Sequence, residues 1–334
     1  MHLIVPHAGT VSDAGRQALQ TLALPQLERV LGRLRVAATH GSDEFSLSAP
    51  HELVYAAERG WPQTDGALPW AAELAAGLAA DLAADLTTGL AESAGLSGLS
   101  AGDPAWALLS PVHLHLGPEQ VSLTDPATLS LTEADSRALL HAVRDLFASE
   151  GFGLHWAAPQ QWLATHPLFD GLATASLDRV IGRNIDAWLP QQDHTRLLRR
   201  LQNEVQMRLY GHPVNEQREA AGLLAINSFW YSGCGRARPT SKPRYSPTID
   251  ERLCQPALSE DWAAWCEAWS ALDDGPMAVL AAQLSQANDA ADPPRLTLCG
   301  ERRALRWEPA ARSLWQRLSG RWQRKAAAAV LESL

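Results

Sequence analysis

Leu197, Leu198, Leu201, Val205 and Leu209 recur at helical spacing, then Gly211 and Pro213 follow, and an apolar stretch runs into Gly233-Cys234-Gly235. No other feature constrains the chain as much. The period predicts one amphipathic helix from Asp193 to Tyr210, with Gln202, Asn203 and Glu204 around its flank. Gly211 and Pro213 stop it, since proline offers no N–H to the next turn and glycine loses the most freedom in a helix. Ala225 to Trp230 then reads as a buried strand, and Gly233 and Gly235 let the backbone turn where a side chain would not fit. A strand ending in Gly-x-Gly is where an α/β sheet can present backbone N–H groups to a ligand. The competing reading is a plain structural turn. His212 likewise is either a helix-end histidine bonded to nearby backbone or a pocket residue.

At 334 residues and 46% hydrophobic content, the chain can bury a large core and exceeds one typical domain. A formal charge of -9 argues against general nucleic-acid binding, which depends on clustered Lys and Arg. The first residues lack a basic segment followed by a long apolar run, and no stretch approaches the roughly eighteen apolar residues of a membrane span, so the expectation is a cytoplasmic protein without a membrane partner. Cys234, Cys254, Cys266 and Cys299 form no CxxC pair, which argues against a zinc or disulfide scaffold and leaves free thiols.

One seam is visible. Ala71 to Leu90 is an Ala/Leu-rich helical run, Ser93 to Pro104 reads as a flexible connection, and a new unit begins near Trp106. Val112 to Leu116 alternates like a strand, Gly117-Pro118 turns, and Gln120 to Leu123 returns to close a hairpin. Thr132 with Asp135, before Leu139, Leu140, Val143 and Leu146, predicts a capped amphipathic helix, and Gly151 to Trp156 another strand.

His212-Pro213-Val214-Asn215, with Arg218, Gly222, Asn227 and the Gly233 to Gly235 turn, resembles a signature of the archaeal-type cofactor-independent phosphoglycerate mutases, members of the alkaline phosphatase superfamily. The resemblance extends, with falling precision, over most of the first two thirds. His2-Leu3-Ile4-Val5 is similar to the first core strand, with Pro6-His7-Ala8-Gly9 where the family carries a metal-binding Asp-Gly. Leu24 to Leu31 resembles the superfamily's Thr-Pro-Asn-Leu-Asp helix start. Ser48-Ala49-Pro50-His51, closing at Gly60-Trp61-Pro62, occupies the place of the nucleophile segment, and Gly66 to Ala72 that of an Arg-Gly-Pro segment whose arginine is absent. The resemblance implies an alkaline-phosphatase-like α/β core sheet flanked by helices, interrupted by an inserted α+β domain. On that plan residues 1–104 are the first part of the core, 105–200 the insertion, and 201–334 a shortened second part ending in a C-terminal helix.

The departures bear on function. The family's arginine-rich cluster, suited to bidentate binding of carboxylate and phosphate, is replaced by Leu123 to Leu129, which holds no arginine. Arg179 and Arg183, four apart and so on one face of a helix, could supply an anion site instead, against the reading of two solvated surface arginines. Two-metal phosphoryl transfer needs several Asp and His ligands, yet His212 is the last histidine of the chain. His7 is a weak candidate ligand, and Ser48 a candidate nucleophile or a helix cap. His113 and His115 on one strand face form another weak metal candidate, while Trp262, Trp265 and Trp269 at helical spacing read as core. The arginines from Arg302 to Arg324, beside Leu314, Trp315, Leu318 and Trp322, read as a docked helix with a charged outer side.

The chain looks most similar to the shortened, mutase-like RpfE-type regulatory proteins of some proteobacteria. That implies a non-catalytic protein that senses or regulates through a small phosphorylated or carboxylated metabolite, held by His212, Asn215, Arg218 and Asn227 near Gly233 and Gly235, with Arg179 and Arg183 as further candidates. No cofactor is expected; a divalent metal belongs only to the alternative, an active mutase or phosphatase with rearranged ligands. A third reading is a structural interaction protein, whose protein partner the residues do not name.

Overall fold

A computed structural model describes residues 1–41, 43–84, 104–118, 120–190, 195–239, 247–286, 293–309 and 326–334. In chain order the elements are β1 (His2–Val5), α1 (Asp13–Thr21), α2 (Pro25–Arg33), β2 (Leu34–His40), α3 (Pro50–Glu58) and α4 (Trp70–Ala84). Next come β3 (Trp106–Val112), β4 (Leu114–Leu116), β5 (Val121–Leu123), α5 (Glu133–Ser149), β6 (Gly153–Ala158), β7 (Gln161–Thr165), α6 (Leu177–Val180), α7 (Arg196–Leu209) and α8 (Pro213–Ala220). The chain continues through β8 (Ser228–Gly235), β9 (Thr248–Ile249), α9 (Cys254–Leu258), α10 (Trp262–Leu272), α11 (Ala278–Gln286), β10 (Arg295–Cys299), β11 (Ala304–Pro309) and α12 (Ala327–Glu332). The expected connection over residues 93–103, the end of the helical run at 85–90, and the basic segment over 312–325 lie outside the described residues. Among the described residues no helix is long and apolar enough to cross a membrane. The chain divides into two compact units, Met1–Gly60 with Ser241–Leu334, and Trp61–Thr240.

The first unit is α/β. Its mixed sheet runs β2-β11-β10-β1-β9, with β1 parallel to β10 and β9 and the other pairs antiparallel. Strand alternation sorts the side chains. Leu3, Val5, Leu296, Leu298 and Trp307 join a core with residues of α1, α2, α10, α11 and α12, while Ile4, Cys299 and Ala304 pack with Val54 of α3. Helices therefore cover both faces, as an internal parallel pair requires. Pro25 opens α2, whose backbone Gln26 and Leu27 N–H groups donate to the Asp273 carboxylate at 3.0 and 2.7 Å, a cap supplied from a remote π-helical turn. Burial pushes the Asp273 carboxyl above its usual range, and these two hydrogen bonds pull it back down. Trp265 and Trp269 are fully buried and meet edge to face, as their spacing predicts, while Trp262 is partly buried against the same core.

The second unit is α+β, with an antiparallel sheet in the order β6-β7-β3-β8. Ala107, Leu109, Trp162, Phe229 and Tyr231 face α5 and α7, and Trp106 and Leu163 pack with Ala71, Ala72 and Ala75 of α4 on the other side. The predicted cap of α5 is present, with the Asp135 N–H donating to the Thr132 hydroxyl at 3.1 Å. The unit's bounds differ from the expected 105–200. Residues 201–240 belong here because β8 pairs with β3 and because Leu198, Leu201, Val205 and Leu209 of α7 enter the same core as α5. Residues 61–104 also belong here, tied through α4. The expected hairpin is present, with Leu114 to Leu116 paired to Val121 to Leu123 and the Gly117 N–H donating to Gln120 O at 2.9 Å, but its first strand starts later than expected. The strand breaks at His113, whose Nδ1 is 2.8 Å from the Ala225 carbonyl, and β4 pairs with β5 as a separate two-stranded ribbon. His113 and His115 thus do not share one continuous strand, which removes that metal candidate's geometric basis.

His166 ties this unit's stability to pH. Its ring stacks on Phe152 at 3.9 Å, and its Nδ1 accepts the Leu168 N–H at 3.1 Å. Protonation would place a hydrogen on that accepting nitrogen. Burial lowers the His166 pKa, so the unfolded chain takes up the proton first; stability is present above the ordinary histidine value and is lost as pH falls through the lowered one. We expect Tm to fall between pH 7 and 5 by less in His166→Asn, whose amide oxygen can keep the cap, than in the parent. Parallel pH–Tm curves for the two would refute this.

Candidate functional site

The segment that most suggested a pocket is spent on the fold. His212 occupies the cap of α8, its Nδ1 accepting the Val214 N–H at 3.3 Å. Asn215 is buried and its amide bridges three backbone groups: Nδ2 donates to Leu209 and Ile226 carbonyls at 3.0 and 2.8 Å, and Oδ1 accepts the Ile226 N–H at 2.9 Å. Asn227 does the same across to β4, accepting from the Leu114 N–H at 2.7 Å and donating to its carbonyl at 2.9 Å. Arg218 is buried, its Nε donating to Leu224 O at 2.9 Å and its Nη2 to Leu129 O, and burial lowers its pKa. These contacts turn the four side chains into separate stretches of backbone, and the expected convergence on one ligand is corrected accordingly.

The glycine turn also has a packing cause. Gly233 has φ +62°, a conformation that disfavours a side chain, and a Cβ there would come within 3.1 Å of Ala71 N and Trp70 Cβ, pressing α4 back from β8 by a few tenths of an ångström. Gly235, at φ +141°, is similarly close to Pro69. Cys234 between them is buried, and desolvation pushes its thiol up to about 12, far from a reactive thiolate. Arg179 and Arg183 do not share a helix face, because α6 ends at Val180 and Gly182 turns the chain at φ +71°. Arg179 is buried, and the Arg183 guanidinium lies 5.9 Å from the Trp188 ring.

A different cluster forms in the first unit, outside the carboxyl ends of β1 and β10, where open α/β sheets take their ligands. His7 sits just past β1 with φ +52°, a left-handed conformation that costs a non-glycine residue about 1–2 kcal/mol. It is held there because Trp265 Nε1 donates to its carbonyl at 3.0 Å, and because the next residue's N–H donates to Cys299 O at 2.7 Å. Its ring faces His51 in the first turn of α3, with centroids 5.5 Å apart, and Tyr55 one turn on lies 5.6 Å from His51. Past β10, the Glu301 carboxylate accepts the Val11 N–H at 3.0 Å and the Thr10 hydroxyl at 3.3 Å, fastening the two loops. Asp250, after β9, accepts from Arg252 Nε at 2.7 Å.

Ser48 is buried just before α3, three residues ahead of His51. The cap position itself falls on Ala49, whose N–H donates to the Glu52 carboxylate at 3.1 Å, so Ser48 is not the cap residue. The two imidazoles can donate to an oxyanion or ligate a cation, and the first turn of α3 adds a positive helix end. His51 was visible in sequence only as a neighbour of Ser48; Pro50 at the first helical position was the signal that it would open a helix. Within this unit one ring nitrogen of His7 and one of His51 lie within 4.8 Å of each other, close enough to share a cation, while the Glu301 and Asp250 carboxylates are hydrogen-bonded to Thr10, Val11 and Arg252.

No protein-family model matches the chain, and no curated protein does. Two solved structures are similar over nearly its whole length. The cofactor-independent phosphoglycerate mutase from Thermoplasma acidophilum is 11% identical, with a TM-score of 0.34, covering 98% of this chain and 94% of its own. The PH0037 protein from Pyrococcus horikoshii is 9% identical, with a TM-score of 0.45, covering 93% and 87%. These are distant likenesses. Neither a site nor an activity follows from them.

Proposed function

We propose that this chain is a phosphoglycerate-mutase-like protein of the RpfE-type regulatory kind, one that binds a small phosphorylated or carboxylated metabolite without turning it over. The observation that carries the reading is His7, held in a left-handed conformation at the carboxyl end of β1 with its ring against His51. Strain of that kind persists where the surroundings over-determine it, and it concentrates at ligand sites. The motif resemblance supplies the ligand class. The site is set not at the α8 segment, whose donors are engaged by backbone, but past the carboxyl ends of β1 and β10 in the five-stranded sheet.

The test is calorimetric titration of the intact protein with 3-phosphoglycerate and with inorganic phosphate, beside metal analysis and a mutase assay. We expect binding that weakens about tenfold in His7→Ala and in His51→Ala, the loss of one charge-assisted hydrogen bond, with no turnover and no stoichiometric metal. The second reading, a metal-dependent mutase or phosphatase, is favoured by the buried Ser48, three residues ahead of His51 in the chain. Bound divalent metal together with turnover abolished by Ser48→Ala would establish it and sink the first.

A further inference from the structure

In the second unit, one face of the sheet is lined with hydroxyls. Leu109, Phe229 and Tyr231 turn toward α5 and α7, so strand alternation sends Ser110 of β3 and Ser228, Trp230 and Ser232 of β8 to the opposite face. Register makes them neighbours. Ser110 lies directly across from Trp230, and Ser228 and Ser232 flank Trp230 on its own strand. All three serines are buried. The Trp230 indole N–H donates to the Ala175 carbonyl at 3.0 Å, which lays the stretch leading into α6 over this face.

That stretch adds another hydroxyl and a charge. Ser176, at the cap position of α6, and Arg179, three residues on, fall on one side of its single turn and are 8% and 3% exposed. Ser176 makes no capping bond, and its hydroxyl oxygen is buried without a hydrogen-bond partner among the described residues. A hydroxyl in that state lowers stability, and an alanine would not. An incoming acceptor would relieve it. Arg179 brings the complementary charge: a guanidinium carries five N–H donors in one plane, so two can meet an oxyanion side by side while the others serve the chain. We propose that this hydroxyl face of the second unit is a site for a phosphate group, held by Arg179 and by the hydroxyls of Ser110, Ser176, Ser228 and Ser232. A phosphoryl group offers about three strongly accepting oxygens and a carboxylate about two, so a donor set this large suits the phosphoryl group. The site shares no residue with the His7–His51 reading and does not depend on it.

Inorganic phosphate and acetate are titrated by calorimetry into the full chain, into a variant carrying both His7→Ala and His51→Ala, and into Ser176→Ala and Arg179→Lys, with Tm read for each before ligand is added. The expected result is a phosphate-binding event that persists without the two histidines, weakens about tenfold in Ser176→Ala, and weakens at least as much in Arg179→Lys, which keeps the charge and loses the fork. Acetate should bind more weakly than phosphate. Ligand-free Ser176→Ala should unfold at or above the parent's Tm, because it removes an unsatisfied polar group, whereas loss of a structural hydrogen bond would lower it. Should Arg179→Lys fold poorly, Ser228→Ala takes its place with the same tenfold loss. Phosphate binding that vanishes with the two histidines and is unchanged in Ser176→Ala would overturn the inference and leave the His7–His51 reading standing. Binding that survives the histidine changes but is lost in Ser176→Ala would do the reverse. Affinity equal to the parent's in folded Ser176→Ala and Ser228→Ala, a lowered Tm in Ser176→Ala, acetate binding as tight as phosphate, or no phosphate binding by the parent would each overturn it as well.

Discussion

Asn215→Ala is expected to lower the stability of the second unit by about 3–4 kcal/mol, one of the two largest single-residue effects we foresee outside the apolar core. One amide satisfies the Leu209 carbonyl that closes α7 and both polar groups of Ile226, all buried. Alanine would leave three backbone groups without partners, each costing about 1–3 kcal/mol, with some relief as the loop relaxes. In a unit of this size that corresponds to a fall in Tm of roughly 6–16 °C. Asn215→Asp separates shape from chemistry, because it keeps the acceptor for Ile226 N–H and loses both donations. Thermal unfolding followed by tryptophan fluorescence gives the answer, and a Tm within 2 °C of the parent, roughly 1 kcal/mol or less, would show that these bonds are dispensable.

Arg218→Ala should be about as costly, at roughly 3–4 kcal/mol. The guanidinium joins the Leu224 and Leu129 carbonyls, residues 95 apart by number, so it clamps the loop after α8 to the turn before α5. Its Nη1 is buried without a protein partner among the described residues, so part of its desolvation is uncompensated, and Arg218→Met is expected to recover about half the loss by refilling the volume. A methionine variant as unstable as the alanine one would mean that the two carbonyl bonds outweigh packing. Neither substitution should alter phosphate affinity at the carboxyl ends of β1 and β10 when measured on folded protein.

How legible this chain was depended on how local each signal is. The helix α7 could be read within two residues at its C-terminal end, because Leu198, Leu201, Val205 and Leu209 repeat at its period and all four are buried. The Thr132 cap and the tryptophan stripe were readable for the same reason: each is complete within a few consecutive residues. The strand predicted from Ala225 in fact begins at Ser228, because the Ile226 N–H is claimed by a side chain eleven residues upstream. The motif around His212 was visible, yet its role was not. An asparagine that holds a ligand and one that holds backbone look alike until their partners are known, and those of Asn227 lie 113 residues away. The His7–His51 pair depends on α3 folding back beside β1, a placement that no spacing encodes.

The order in which the sheet is threaded sets the timing of its assembly. β1 pairs in register with Arg295 to Leu298, so the first strand made waits for nearly the last. At translation speeds of about 5–20 residues per second, roughly 15–60 s pass before that partner exists. Throughout that interval Leu3, Ile4 and Val5, fully buried in the finished protein, have no sheet to enter, whereas residues 61–240 are contiguous and can collapse on their own. Strand β1 therefore stays apolar and unpaired until β10 has been made, and a chaperone that shields Leu3, Ile4 and Val5 during that interval would raise the yield of native protein.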